Sequence, residues 1–142
     1  MNPKILIVED NPDDVELTRL AFEENNLANE LVVATSGDQA LELLMGGDGI
    51  EPLNVALVLL DLKLPRVSGI EVLRQIRSAQ ATRLLPVVVL TSSDEERDVI
   101  ESYRLGANSY VRKPVDYGEF VTAVRQLGMY WMVINLPPGG RV

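Results

Sequence analysis

Val55-Ala56-Leu57-Val58-Leu59-Leu60-Asp61-Leu62-Lys63-Leu64-Pro65 is the stretch on which the fold turns. Six apolar residues without polar alternation have the length of a strand and suit one covered on both faces inside a parallel sheet. Asp61 then emerges at the carboxyl end of that strand, the edge where open α/β sheets assemble their ligand sites. An isolated Asp in this position would read as the start of a turn. Here three other apolar runs end alike, in side chains that carry chemistry.

Upstream, Ile5-Leu6-Ile7-Val8 runs into Glu9-Asp10. Asn11 is a predicted helix N-cap with Pro12 at the first helical position, and Asp13 and Asp14 read as first-turn acids that suit the helix dipole, not as ligands. Val15, Leu17, Leu20, Ala21 and Leu27 continue an amphipathic helix to about Asn25. Leu31 to Ala34 is a second strand, and Ser36 with Gln39 forms a capping box for a helix through Leu41, Leu43 and Leu44. Gly46-Gly47-Asp48-Gly49 follows a helix and precedes a strand, the reverse of the order that puts amides on phosphate, so it reads as a connector.

Downstream, Ser68 and Glu71 make a second capping box, for a helix through Ile70, Leu73 and Ile76. Pro86 to Leu90 is a fourth strand ending in Thr91-Ser92-Ser93. Asp94 to Leu105 is a mostly polar helix that packs weakly and can move, stopped by Gly106. Asn108 to Arg112 is a fifth strand, followed at once by Lys113-Pro114, and Asp116 with Glu119 makes a last capping box for a helix through Phe120, Val121, Val124 and Leu127. Strands alternating with helices predict an α/β fold, a flavodoxin-like, doubly wound, five-stranded parallel sheet in the order 2-1-3-4-5.

The 142 residues predict a single domain over 1–142, its core over 4–127 and an apolar helical extension with a Pro/Gly tail over 128–142. Thirteen Lys and Arg against 21 Asp and Glu leave a charge of −8, which disfavours nucleic acid as a partner. The chain has no Cys and no His, which removes disulfides, thiolate nucleophiles, the common zinc sites and every His base. No apolar run approaches the roughly 20 residues that span a bilayer, and the amino terminus lacks the long apolar core of a signal peptide. A soluble cytoplasmic protein is expected.

In the predicted strand order one site collects Glu9, Asp10, Asp61, Thr91 and Lys113. Crowded carboxylates repel unless a cation sits among them, and a hard cation such as Mg2+ suits oxygen ligands and leaves room for phosphate. Asp61 supplies a nucleophile for phosphoryl transfer, Lys113 a positive charge for the phosphoryl oxygens, and Thr91 a hydroxyl donor.

At these residues, and over about 4–127, the chain resembles the receiver domains of two-component response regulators. The matching segments are Ile7-Val8-Glu9-Asp10-Asn11, Leu60 to Pro65 with Gly69, Leu90-Thr91-Ser92 and Tyr110-Val111-Arg112-Lys113-Pro114. The resemblance implies that Asp61 accepts phosphoryl from the phosphohistidine of a sensor histidine kinase. It also implies Mg2+ held by Asp10, Asp61 and the Lys63 backbone carbonyl, with Glu9 acting through water. Lys113–Pro114 would be a cis peptide, and Thr91 and Tyr110 a switch pair. Lys63 and Ser93 would flank the phosphoryl pocket and set how fast water clears it.

Leu127 to Ile134 is apolar around the whole circumference of a helix, so either it folds back on the domain or it serves a dimer or kinase-docking surface built on the last two helices and the fifth strand. Trp131, Asn135, Pro137 and Pro138 resemble the tail of stand-alone regulators that accompany bacterial phytochrome kinases. With no output domain expected, the signal would leave through a partner surface. Two other readings compete. A haloacid dehalogenase-type phosphatase needs a second Asp two residues after its nucleophile, where this chain has Lys63. A phosphorylation-independent binding module would keep the fold without using the pocket.

Overall fold

Five segments, all but the last mainly apolar, form five parallel strands, β1 (Lys4–Val8), β2 (Leu31–Ala34), β3 (Val55–Leu60), β4 (Val87–Thr91) and β5 (Ser109–Arg112). The order across the sheet is β2-β1-β3-β4-β5, the expected one. This computed structural model describes residues 3–26 and 29–138, so the helical position expected for Leu27 and the tail 139–142 lie outside the described residues.

The strands alternate with α1 (Pro12–Glu24), α2 (Gly37–Met45), α3 (Gly69–Ser78), α4 (Glu96–Arg104) and α5 (Tyr117–Met129). Because successive strand side chains face opposite ways, the sheet has two cores. Leu6, Val8, Val58, Leu60, Val87 and Val89 pack beneath the α2 and α3 side chains Ala40, Leu44, Val72, Leu73 and Ile76. Ile5, Leu57, Leu59, Val88 and Leu90 pack on the other face against Ala21 and Phe22 of α1 and Phe120 and Val124 of α5. The central strand is thus covered on both sides, as its unbroken apolar run requires.

Helix starts follow the sequence in part. Asn11 Oδ1 accepts from the Asp13 and Asp14 amides, and Asp116 Oδ1 from the Glu119 amide. The predicted capping boxes are half formed. Ser36 and Ser68 accept from the amides of Gln39 and Glu71, but the Gln39 side chain turns to the Thr35 amide and the Glu71 carboxylate to Arg74 and Gln75. A charged or second amide partner within one turn outcompetes the cap amide.

α4 is held lightly. Its one buried residue is Ser102, whose hydroxyl has no hydrogen-bond partner, and its start has no side-chain cap. Beyond it Gly106, at φ +93°, lies against the Arg77 side chain. The Arg77 guanidinium donates to the Gly106 and Leu85 carbonyls and to Asn108 Oδ1, tying α3 to both strands at that edge.

After α5 the chain widens into a π-helical turn, Tyr130–Ile134, closed by the Asn135 amide on the Tyr130 carbonyl at 2.6 Å. Trp131 and Met132 pack on the α1/α5 core, while Tyr130, Val133, Ile134 and Leu136 stay exposed. Part of the tail therefore folds back and part does not.

Candidate functional site

The carboxyl ends of β1, β3, β4 and β5 meet at one edge, and backbone bonds running past the strands fix the residues there. The Glu9 amide donates to the Ala34 carbonyl, the Asp61 amide to Val8, and the Lys113 amide to Thr91, at 2.9, 3.0 and 2.7 Å. Gly69, the first residue of α3, donates to the Leu62 carbonyl and brings that helix directly under Asp61.

Glu9, Asp10 and Asp61 each offer a carboxylate oxygen within 4.8 Å of the others. Glu9 and Asp61 are buried and Asp10 is exposed, so the cluster opens to solvent on one side. An all-oxygen donor set of this span fits a single hard cation, whose oxygen ligands lie at roughly 2.0–2.6 Å.

Lys113 closes the cluster from the other side. Its ammonium donates to Glu9 Oε1, to Asp14 Oδ2 at 2.8 Å and to Asp61 Oδ2 at 3.0 Å. Asp61 Oδ1 accepts the Thr91 hydroxyl at 2.7 Å and the Lys63 amide at 3.1 Å. Burial works to raise the Asp61 carboxyl, but Thr91, Lys113 and Lys63 outweigh it and hold the group below the ordinary aspartate value. Burial and the Asp61 charge dominate at Glu9 and push it up to about 7 despite Lys113 and the Asn11 amide. Burial disfavours the Lys113 ammonium, yet its hydrogen bonds to Asp14 and Glu9 and the Asp61 charge carry it above the ordinary lysine value.

The sequence profile described as the response regulator receiver domain matches residues 5–125. The chain belongs to the response regulator receiver family. Response regulator Rcp1 of Synechocystis sp. is 34% identical over 135 residues, covering 94% of this chain and 92% of Rcp1. The Mn2+-bound form of Rcp1 superposes with a TM-score of 0.89 at 32% identity, over 96% of this chain and 99% of that one. The phosphorylated cyanobacterial phytochrome response regulator RcpA gives 0.92 at 32% identity over 97% and 99%. Bacteriophytochrome response regulator RtBRR gives 0.74 at 50% identity over 99% and 86%.

In this receiver domain Glu9, Asp10, Asp61, Thr91, Lys113 and the Lys63 amide meet at one edge, with Ser93 on the adjoining loop and Tyr110 reaching it from β5. Thr91 is fully buried and its hydroxyl already lies on Asp61. The Tyr110 hydroxyl donates to the Ser93 carbonyl at 2.8 Å, and the Ser93 hydroxyl to Asp98 Oδ2 at the start of α4. Tyr110 and Ser93 thus tie β5 and α4 to the loop that follows Thr91. Lys63 meets the site through its backbone, its side chain exposed. The cis Lys113–Pro114 peptide is corrected: no peptide among the described residues is cis. Trans is the intrinsically favoured isomer, and Lys113 reaches its three carboxylates from it.

Asp14 was missed. Read from sequence as a helix-start acid, it also belongs to the Lys113 cage. The helix period by itself points the other way, since Leu17 and Leu20 on the Asp13 face are the larger apolar residues. Asp14 shares a face with Thr18 and Ala21, both buried, whereas Asp13 shares one with Leu17 and the exposed Leu20. Asp13, Leu17, Leu20 and Tyr117 line a groove of about 500 Å3 on the outer side of α1, away from the acid cluster.

Proposed function

We propose that the chain is a phosphoacceptor switch in which Asp61 takes a phosphoryl group from the phosphohistidine of a sensor histidine kinase. The observation that carries this reading is the Asp61 carboxylate itself, buried yet kept ionised, with a hydroxyl on one oxygen and an ammonium on the other. In the transfer an Asp61 oxygen attacks phosphorus in line as the P–N bond breaks, and the electron pair leaves with the imidazole. Lys113 and Thr91 donate to the phosphoryl oxygens, which carry the negative charge as the new P–O bond to Asp61 forms.

Glu9, Asp10, Asp61 and the Lys63 carbonyl would hold Mg2+ or a similar cation, Glu9 acting through water. Such a cation supplies positive charge against the phosphoryl oxygens. Water entering the same site would later remove the group, at a rate set in part by Lys63 and Ser93, so the protein ends as it began. Reorienting Thr91 shifts the loop through Ser93 and with it Tyr110 and the lightly held α4.

The relatives named for phytochromes favour a bacteriophytochrome as the kinase. The exposed Tyr130, Val133, Ile134 and Leu136 favour a homodimer through the end of α5 and the turn after it. No helix among the described residues is long and apolar enough to cross a membrane, and a cytoplasmic site of action agrees with that and with a kinase partner.

The test is intact-mass analysis after incubation with Mg2+ and acetyl phosphate, and separately with an autophosphorylated phytochrome kinase. One phosphoryl adduct is expected; none from either donor would overturn the reading. Glu9 adds a pH signature. A carboxyl raised to about 7 keeps its proton where cation binding needs the anion, so proton and cation compete. Cation affinity is expected to climb between about pH 6 and pH 8 and to flatten in Glu9→Gln. Calorimetry in buffers of different ionisation enthalpy checks this, and the absence of proton release near pH 6 would refute it.

A further inference from the structure

Lys113 Nζ has three carboxylate neighbours, and two of them, Glu9 and Asp61, belong to the acid cluster. On the phosphoacceptor reading, which this inference assumes, both are redirected when the site is used. Asp61 becomes an acyl phosphate and Glu9 faces the cation. The ammonium then keeps one carboxylate, Asp14.

We propose that Asp14 is a positioning residue for phosphoryl transfer, anchoring Lys113 Nζ independently of the acceptor and the cation ligands so that the ammonium stays aimed at the phosphoryl oxygens.

The anchor is built to be rigid. Asp14 sits in the first turn of α1, its amide held by Asn11 Oδ1 and its carbonyl accepting the Thr18 hydroxyl at 2.8 Å. Thr18 is itself buried against the sheet. The Lys113 side chain is 9% exposed and that of Asp14 21%, so the pair is better shielded than a surface ion pair. A free lysine stem has many rotamers, and a second fixed point on the ammonium removes much of that freedom before the phosphoryl group arrives. Asp13, one residue earlier, faces the outer groove and supplies the matched control.

Beryllofluoride, a stable stand-in for the phosphoryl group, is titrated at saturating Mg2+ into wild type, Asp13→Asn and Asp14→Asn, with fluorine NMR as the readout. Asp14→Asn is expected to bind about tenfold more weakly, the value of one charge-assisted hydrogen bond, and Asp13→Asn within about twofold of wild type. A second readout needs no cation. In chelator, urea unfolding of Asp14→Asn is compared in the wild-type and Lys113→Met chains. Losing the ion pair lowers stability in the first background, whereas in the second it removes one of three repelling carboxylates and raises it.

Equal beryllofluoride affinity for wild type and Asp14→Asn overturns the proposal. So does a loss of stability of the same sign in both backgrounds, which is what a first-turn acid acting only on the helix dipole would give. Failure of wild type itself to bind beryllofluoride overturns the phosphoacceptor reading, and this inference with it.

Discussion

Asp61→Asn is expected to lower phosphoryl uptake from acetyl phosphate by at least about a thousandfold, to below detection by intact mass. The change keeps the shape of the side chain and removes what the transfer uses. An amide oxygen is a poor nucleophile, and the transition state loses the carboxylate whose electrons form the new P–O bond. The geometry adds to the loss. Asp61 meets donors at both oxygens, Thr91 and Lys63 on one and Lys113 on the other. An Asn must aim its NH2 at one of these, so one side of the pocket becomes donor against donor. The fold is expected to survive, because removing one of three crowded carboxylates offsets the lost ion pair with Lys113. Cooperative urea unfolding separates the two effects, and an Asn variant that labelled like wild type would remove Asp61 from the acceptor position.

The second large effect is one of space. A Cβ on Gly69 would lie 2.2 Å from the Asp61 carbonyl oxygen and 2.6 Å from Leu62 Cα. Both obstacles are backbone, so no side chain can swing aside. Either α3 lifts off its sheet or the β3 exit moves, taking the acceptor with it. Gly69→Ala is therefore expected to cost about 3 kcal/mol, the upper range for overpacking at a rigid contact, and to weaken cation binding in whatever fraction still folds. Gly47→Ala is the control, since an added Cβ there meets nothing within 4 Å. Urea midpoints for the two variants test the contrast, and a Gly69→Ala midpoint equal to wild type would refute the close-approach argument.

The sheet was legible in the sequence because its signals are local and redundant. Apolar runs such as Ile5 to Val8 and Val55 to Leu60 read as buried strands, and each ends in a polar residue that has nowhere to go but the carboxyl edge. Once the order is set, meeting of Glu9, Asp10, Asp61, Thr91 and Lys113 is forced by topology. What stayed hidden depends on distances between elements. Leu20 counts as core by type, yet it is 45% exposed, while Phe22, never singled out, is buried. Small Thr18 and Ala21 sit where α1 comes closest to the sheet. That rotation of α1 is what turns Asp14 inward, and hydrophobicity alone places the larger side chains there instead.

The same limit applies to the capping boxes and to Tyr110. Ser36 and Ser68 cap their helices as their spacing requires, but the return bonds from Gln39 and Glu71 lose to partners only three-dimensional proximity reveals. Tyr110 reads as one half of a switch pair, and only the fold shows its hydroxyl resting on the loop carbonyl of Ser93. The π-helical turn after α5 carries no sequence mark, since its apolar residues suit an α-helical continuation equally well.

That turn also gives the molecule an optical probe. Trp131 is the single tryptophan, with the edge of Tyr130 against it at a ring separation of 5.1 Å and one side packed on the α1/α5 core. Its emission reports the solvent exposure of the tail, which is separated along the chain from Lys113 at the carboxylate edge by the 13 residues of α5. A cation titration watched by tryptophan fluorescence would be dark, while a second protein covering Val133, Ile134 and Leu136 would shift the colour. One cuvette therefore distinguishes loading of the site from occupancy of the tail.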